Sequence, residues 1–287
     1  MEDIKLPQPT DAFDWVQAAG GPALRCGPLA HFAPHLFTTR VWPLGSAASA
    51  ESDAAWHDVV RALGSEPDRL ARLHQVHGAR AVVADAASRP DADIVISRDA
   101  SLVLAVQTAD CIPLLLADER NGAVAVVHAG WRGLAARAPI VAVEALAREF
   151  GSRSGDLMAA VGPSIGACCY EVGEDVRARF DENGFAHAEI DTWFGSSPRP
   201  TPRNPSISRV SSTRRQDCWY FDAWSATRDQ LQTVGVQASR IHIAELCTAS
   251  HTETFCSYRR DGARSGRIAG AIRAATIRVP EKESERM

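Results

Sequence analysis

Three apolar runs follow one another through the middle of the chain, at residues 102–106, 112–117 and 123–127. None alternates polar with apolar residues, and each has the length of a strand rather than a helix. Such a run suits a β-strand buried on both faces, so the chain must supply cover for both sides of a sheet. Between the second and third runs stands Asp118-Glu119-Arg120-Asn121-Gly122, a cluster of turn formers. Residues 111–128 therefore read as a β-hairpin. With a four-residue loop over 118–121, Cys111 faces His128, and directly paired residues hold their Cβ atoms about 4.5–5.5 Å apart. With Asn121-Gly122 as a two-residue type I′ turn, the two separate. Pro113 fits such a strand only at a bulge or an edge.

The remaining chain reads as mixed helix and strand. Residues 31–40 predict a short strand with its approach, and 79–84 an extended piece. Residues 51–63 predict a helix with Ala55, Val59, Ala62 and Leu63 on one face. A second helix is expected over 134–150, with Pro139 near its start and Ile140, Val143, Ala147 and Phe150 in helical spacing. Asp222 can cap a third, whose Trp224, Thr227, Leu231 and Val234 share a face. Residues 240–246 alternate like a strand and deliver Cys247 and Thr248 at its end. Segment 196–216 is different: it carries Pro198, Pro200, Pro202 and Pro205, many Ser and Thr, and Arg199, Arg203, Arg209, Arg214 and Arg215, with no acid. That composition predicts a solvated, mobile insertion in a single domain spanning 14–279. Residues 280–287 form a charged tail expected to fray.

The 287 residues are 45% hydrophobic and 23% charged, ordinary globular values that exclude fibrous and wholly disordered classes. A formal net charge of −4 provides no general nucleic-acid field. Residues 1–13 carry Glu2, Asp3 and Asp11 without an apolar core, so no signal peptide is expected. The most apolar stretch, 102–117, is interrupted by Gln107, Asp110 and Pro113 and is too short to span a bilayer. Seven cysteines without a CxxC pair argue against a disulfide framework and for a reducing cytoplasm.

Three segments set metal-competent side chains beside glycines or turns: His74-Gln75-Val76-His77-Gly78, Ala109-Asp110-Cys111, and His128-Ala129-Gly130-Trp131-Arg132-Gly133. Their spacing fits no local zinc-finger pattern. The hairpin makes Cys111 and His128 a candidate pair, either as metal ligands or as thiolate nucleophile and base. Cys168-Cys169 and Cys247 read as packing residues. Asp110 reads as a structural carboxylate or a proton carrier.

Taken together, FTTR (37–40), QVHG (75–78), TADCIPLLLAD (108–118), VVHAGWRG (126–133), VGPSIGACCYEVG (161–173), CT (247–248) and SYRRDGARSGR (257–267) resemble the YfiH family. This laccase-domain, polyphenol oxidase-like family includes purine nucleoside phosphorylases. The resemblance implies an α/β fold of the mixed α+β kind, with mixed β-sheets packed between helical layers. It implies a zinc site at His77, Cys111 and His128, with these three also as the catalytic residues, while His74 sits where the pattern requires no histidine. Three departures bear on substrate rather than metal. Cys256 replaces a common aromatic, a Gly-Gly-Val-Ser turn is missing after Arg40, and the 196–216 insertion is longer than the family norm.

A His-Cys-His site leaves a fourth tetrahedral position open, the catalytic arrangement. The resemblance implies phosphorolysis of adenosine or inosine to base and ribose 1-phosphate, with adenosine deaminase and methylthioadenosine phosphorylase as side activities. Phosphate needs an anion site. Arg40, Arg132, Arg259 and Arg260 lie inside the motifs and Arg binds phosphate bidentately; free N–H groups where the helix after Gly130 begins could add to it. Tyr170 and Phe255 could stack on a purine. The alternative is a Cys-His hydrolase using Cys111 and His128, an amidase editing a peptidoglycan precursor. A copper-dependent polyphenol oxidase fits less well, because multicopper centres use His-x-His pairs and none of the nine histidines forms one. Copper could still enter the zinc site adventitiously.

Overall fold

The structure is a computed structural model and describes residues 5–45, 53–207 and 218–275. The three apolar runs become the strands Val103–Thr108, Ile112–Asp118 and Val124–Ala129. The first joins a six-stranded mixed sheet, in the order Phe13–Ala18, Gly21–Cys26, His35–Thr38, Ile268–Arg273, Val103–Thr108, Leu70–Ala71. The other two lie at the centre of a second, in the order Ile241–Ile243, Leu157–Val161, Ile112–Asp118, Val124–Ala129, Ile94–Ser97, Ala81–Val83. A small third sheet pairs Glu171–Gly173, Cys218–Phe221 and Phe194–Gly195.

The burial explains why these runs lack alternation. Leu115, Val124 and Val126 pack with Phe37, Leu104 and Val106 between the two large sheets. On the opposite face, Leu114, Leu116 and Val127 pack with Leu134, Val143, Leu146 and Leu231 of the helical layer. Val103, Ala105, Ala269 and Ala271 on the outer face of the first sheet are covered by Trp56, Val59 and Val60 of the helix Asp53–Ala62. The order is thus helix, sheet, sheet, helices, the mixed α/β class. Among the described residues, no helix is long and apolar enough to cross a membrane.

The hairpin takes neither expected register. Ile112 pairs with Ala129 and Pro113 with His128, so Cys111 lies level with Gly130, one step beyond the ladder. The turn sets this: the Asp118 carboxylate accepts from the Arg120 and Asn121 N–H groups (2.8 and 3.1 Å), and Gly122 takes φ +73°. The Asp118 N–H then closes the loop onto the Ala123 carbonyl (2.8 Å). Pro113 sits second in a central strand, where its carbonyl accepts the Gly162 N–H (3.0 Å).

The helix expected over 134–150 is two helices, Trp131–Ala135 and Ala138–Phe150, broken where Arg137 turns left-handed (φ 62°). Pro139 opens the second, where its missing N–H costs nothing. Asp222 caps Ala223–Thr233 by accepting the Ser225 N–H (3.0 Å).

The described part of the insertion, residues 196–207, is mostly exposed, as expected of a solvated segment, but it is docked at one point. Asn204 is 3% exposed. Its Nδ2 donates to the Glu245 carbonyl (2.8 Å) and its Oδ1 accepts the Cys247 N–H (2.8 Å). An asparagine side chain can replace missing backbone partners, and here one does so inside a segment whose composition suggests none. Residues 208–216 and the tail 280–287 lie outside the described residues.

Candidate metal centre

The centre lies where the chain crosses between the two large sheets. Residues 72–80 make one crossing, from Leu70–Ala71 to Ala81–Val83, and 109–111 make another, from Val103–Thr108 to Ile112–Asp118. The first is pinned by Gln75, whose Nε2 donates to the Gln107 carbonyl (2.8 Å) while its Oε1 accepts the Gln107 N–H (2.8 Å). At His77 the backbone turns left-handed, with φ 61°. That bend aims three successive N–H groups at one carboxylate. Asp93 Oδ2 accepts from Gly78 (2.6 Å) and Val76 (3.3 Å), and Oδ1 from His77 (3.0 Å).

The same carboxylate orients His128, near the end of Val124–Ala129. The His128 N–H donates to the Asp93 carbonyl (2.8 Å), and ring Nδ1 donates to Asp93 Oδ1 (2.7 Å). Asp93 is fully buried and His128 is 3% exposed. With Nδ1–H committed, Nε2 is the nitrogen left for a ligand, the usual carboxylate–histidine arrangement at metals. The rings of His77 and His128 stand edge to face at 4.8 Å.

Cys111 completes the group. Its Sγ, His77 and His128 each offer a ligand atom, all within 4.8 Å of one another. Gly130 makes room for it: a Cβ there would lie 2.9 Å from Cys111 Sγ and 3.5 Å from His77 Cδ2. Gly133 faces the Gly78 carbonyl, 3.0 Å from where its Cβ would stand. The two glycines of the HAGWRG segment are therefore packing requirements of the site.

Burial opposes charge on all three central groups, and their mutual contacts override it. The His128 cation and hydrogen bonds from His128 and His77 pull the Cys111 thiol down. The Cys111 thiolate and the Asp93 carboxylate push His128 up. Hydrogen bonds from His128, Gly78 and His77 hold Asp93 below the usual carboxylate range. The chain therefore favours a thiolate here, the form that binds metal or attacks carbon. One sulfur and two imidazole nitrogens, with a second-sphere carboxylate and an open side, fit a tetrahedral ion with one exchangeable position.

The centre opens onto a cleft of about 1070 Å³ lined by His77, Cys111, His128, Tyr170, Arg132 and Arg259, among others. Arg132 lies over the Trp131 ring at 4.3 Å. Arg259 Nη2 donates to the Glu171 carbonyl (2.6 Å), and its guanidinium is 5.9 Å from the Tyr170 ring. Burial and the charges of Cys111 and Asp110 push the Tyr170 phenol far up, opposed by Arg259 and Arg132. Two expected anion-binding arginines are elsewhere. The Arg40 side chain donates to the Thr252 carbonyl, outside the cleft. Arg260 bonds the Thr248 and Phe255 carbonyls (both 3.0 Å) and pairs with Asp261 (2.7 Å), which staples its own loop. Phe255 is fully buried and stacks on Trp15. His74 binds Asp91 (2.6 Å) at the rim.

Asp110 lines the same cleft and accepts from Thr248 Oγ1 (2.6 Å) and the Arg259 N–H (2.6 Å), tying three motif segments together. Burial raises its pKa. Sequence reasoning missed Asp93. The available signal was an acid placed directly before the apolar run Ile94-Val95-Ile96, a position where a carboxylate needs partners to be buried.

Residues 48–275 match the family described as "Multi-copper polyphenol oxidoreductase laccase". A purine nucleoside phosphorylase of Deinococcus radiodurans is 33% identical over 280 residues, covering 93% of this chain and 97% of that protein. One of Bacteroides thetaiotaomicron is 35% identical over 180 residues, covering 63% of this chain and 60% of that protein. Adenosine deaminase RL5, from an unknown prokaryotic organism, is 32% identical over 221 residues, 73% of this chain and 77% of that protein. The crystal structure of the Bacillus licheniformis hypothetical protein YfiH superposes with a TM-score of 0.74 at 21% identity, covering 88% of this chain and 96% of that one. With five of the seven motif segments lining one cleft and the match spanning most of its length, the chain belongs to this laccase-like family, the YfiH family.

Proposed function

We propose that the cleft is the active site of a zinc-dependent purine nucleoside phosphorylase, which splits adenosine or inosine with phosphate into free base and ribose 1-phosphate. The observation that carries this reading is the convergence of His77, Cys111 and His128 with Arg132 and Arg259 on one cleft, in a chain whose relatives include proteins named for that activity. Zinc held by the three ligands would supply Lewis-acid polarisation of an oxygen group in the cleft. Asp93 keeps His128 in the ligating tautomer. Arg132 and Arg259 hold the phosphate dianion beside the ribose, where cleavage of the glycosidic bond develops positive charge, so the anion stabilises the transition state. Tyr170, whose phenol pKa is pushed up by burial, offers a ring face and a hydroxyl to the base. Adenosine deamination and methylthioadenosine phosphorolysis are side activities of the same cleft; the first is supported by the relative named adenosine deaminase. The reading includes a cytoplasmic setting, in keeping with seven free cysteines, and copper as an adventitious substitute for zinc.

One observation favours a second reading. Asp93, His128 and Cys111 stand in the order orienter, base and nucleophile, which suits an amidase acting through a thioester. The test is turnover of adenosine by zinc-loaded protein, its Arg132→Ala variant and its Cys111→Ser variant. Removing one charge-assisted contact costs about 1.5–3 kcal/mol, so Arg132→Ala should lose roughly ten- to a hundredfold in turnover. Cys111→Ser should lose zinc and activity together. Full activity in both variants overturns the phosphorylase site, and an acylated Cys111 found by mass spectrometry with an amide substrate supports the hydrolase.

A further inference from the structure

A second cluster of sulfur stands behind the cleft. The turn in which the Cys169 and Tyr170 N–H groups both reach back to the Gly166 carbonyl (2.9 and 3.0 Å) sets Cys168 and Cys169 on the same side. The bridge between Ser164 and Cys247 brings in the third cysteine from the loop after Ile241–Ile243. The three are 2%, 1% and 0% exposed, and their sulfurs all lie within 4.8 Å of one another. Packing as small hydrophobes accounts for the burial but not for the polar groups around the sulfurs, which include the Gly166 carbonyl, 3.9 Å from Cys168 Sγ, and the Pro205 carbonyl, 3.8 Å from Cys169 Sγ. The Gly166 N–H donates to Cys247 Sγ (3.3 Å) and the Ile207 N–H to Cys169 Sγ (3.4 Å). A thiol sulfur is a weak acceptor, whereas a charged acceptor makes roughly twice as strong a bond. Ser250 Oγ lies 3.6 Å from Cys168 Sγ and 3.5 Å from Cys169 Sγ. Its hydrogen is committed to the Pro205 carbonyl (2.6 Å), so its lone pairs face the two sulfurs.

We propose that Cys168, Cys169 and Cys247, with Ser250 Oγ as fourth donor, form a structural zinc site separate from the centre at His77, Cys111 and His128. A tetrahedral zinc with bonds of about 2.3 Å to sulfur and about 2.0 Å to oxygen places sulfur and oxygen about 3.5 Å apart, the spacing that Ser250 already holds to Cys168 and Cys169. Three thiolates supply most of the donor set usual for structural zinc, and Ser250 Oγ stands beside two of them where the fourth donor belongs. The surroundings give it a purpose. Cys169 precedes Tyr170 in the cleft, and Cys247 precedes Thr248, whose hydroxyl binds the Asp110 carboxylate next to Cys111. The first part of the insertion, through Asn204, Pro205 and Ile207, lies over the cluster and supplies two of the groups that face it. Zinc here would fix the back wall of the cleft and dock the insertion on it.

The test separates this site from the first. Full-length protein carrying His77→Ala and His128→Ala is purified anaerobically, loaded with zinc and passed through a weak chelator. One retained equivalent of zinc is expected, with three sulfurs around it by X-ray absorption, and cobalt in its place should show thiolate charge-transfer bands. Adding Cys247→Ser should abolish both. Should that variant fail to fold, the sulfur count in the parent double variant still decides. No retained zinc, or a sulfur count of one or none, overturns the proposal. So does a thiol titration in denaturant in which two of the seven cysteines are consumed by a disulfide.

Discussion

Replacing Asp93 with asparagine isolates the group that organises the centre. The carboxylate accepts four hydrogen bonds, from the N–H groups of Val76, His77 and Gly78 and from His128 Nδ1. An asparagine has one acceptor oxygen. If that oxygen stays with His77 and His128, its amide group confronts the Gly78 N–H at the 2.6 Å position, donor against donor. Hydrogen bonds to charged groups contribute about 1.5–3 kcal/mol each, and a buried donor left without a partner costs about 1–3 kcal/mol. The metal-free protein should therefore lose about 3 kcal/mol or more in a urea melt. Loss of a carboxylate behind a ligating histidine costs about 10–100-fold in metal affinity, and zinc competition against a chromophoric chelator reads this directly. Asp93→Asn with parental zinc affinity and a parental urea midpoint would refute the argument that this carboxylate builds the site.

Other consequences follow from single contacts. Gly130→Ala puts a Cβ 2.9 Å from Cys111 Sγ at a φ of −76° that any residue tolerates. Overpacking of about 1–3 kcal/mol should fall on the sulfur and weaken zinc binding by roughly ten- to a hundredfold in the same competition assay, with the fold retained by circular dichroism. His35 donates from Nδ1 to the Ala33 carbonyl (2.8 Å) and accepts the Cys26 N–H at Nε2 (3.0 Å), and burial pushes its pKa down to about 4. Its neutral form is favoured by the fold, so its contribution is complete above about pH 6.5 and is lost as pH falls towards 4. That loss is about 3 kcal/mol, and the difference in urea stability between parent and His35→Gln should shrink over that window. Asn204→Ala strands the Cys247 N–H and the Glu245 carbonyl and should cost about 2–4 kcal/mol in a denaturant melt; a solvated insertion would show no change.

The sequence patterns were most informative where one local signal sufficed. Uninterrupted apolar runs marked strands covered on both faces, Asp222 marked a helix start, and short motifs marked His77, Cys111 and His128. Register was not legible, because the turn is set by the Asp118 side chain and by a left-handed Gly122 together, and each is compatible with several loops. The helix break at Arg137 has no glycine to announce it. Asp93 acts through partners that only the crossing between sheets brings to it, and Asn204 and Cys247 meet only because residues 196–207 dock on the loop after Ile241–Ile243. The arginines illustrate the limit of motif reading. All four stand in motif segments, yet Arg260 spends its guanidinium on the carbonyls of its own loop, while Arg132 and Arg259 reach the cleft.

The central claim is phosphorolysis at this cleft, and the products of adenosine cleavage test it most directly. Purified zinc-loaded protein is supplied with adenosine, with and without inorganic phosphate, and base, ribose and ribose 1-phosphate are quantified. The account predicts base release that requires phosphate, with ribose 1-phosphate formed in equal amount. Base release at the same rate without phosphate, accompanied by free ribose, would contradict it.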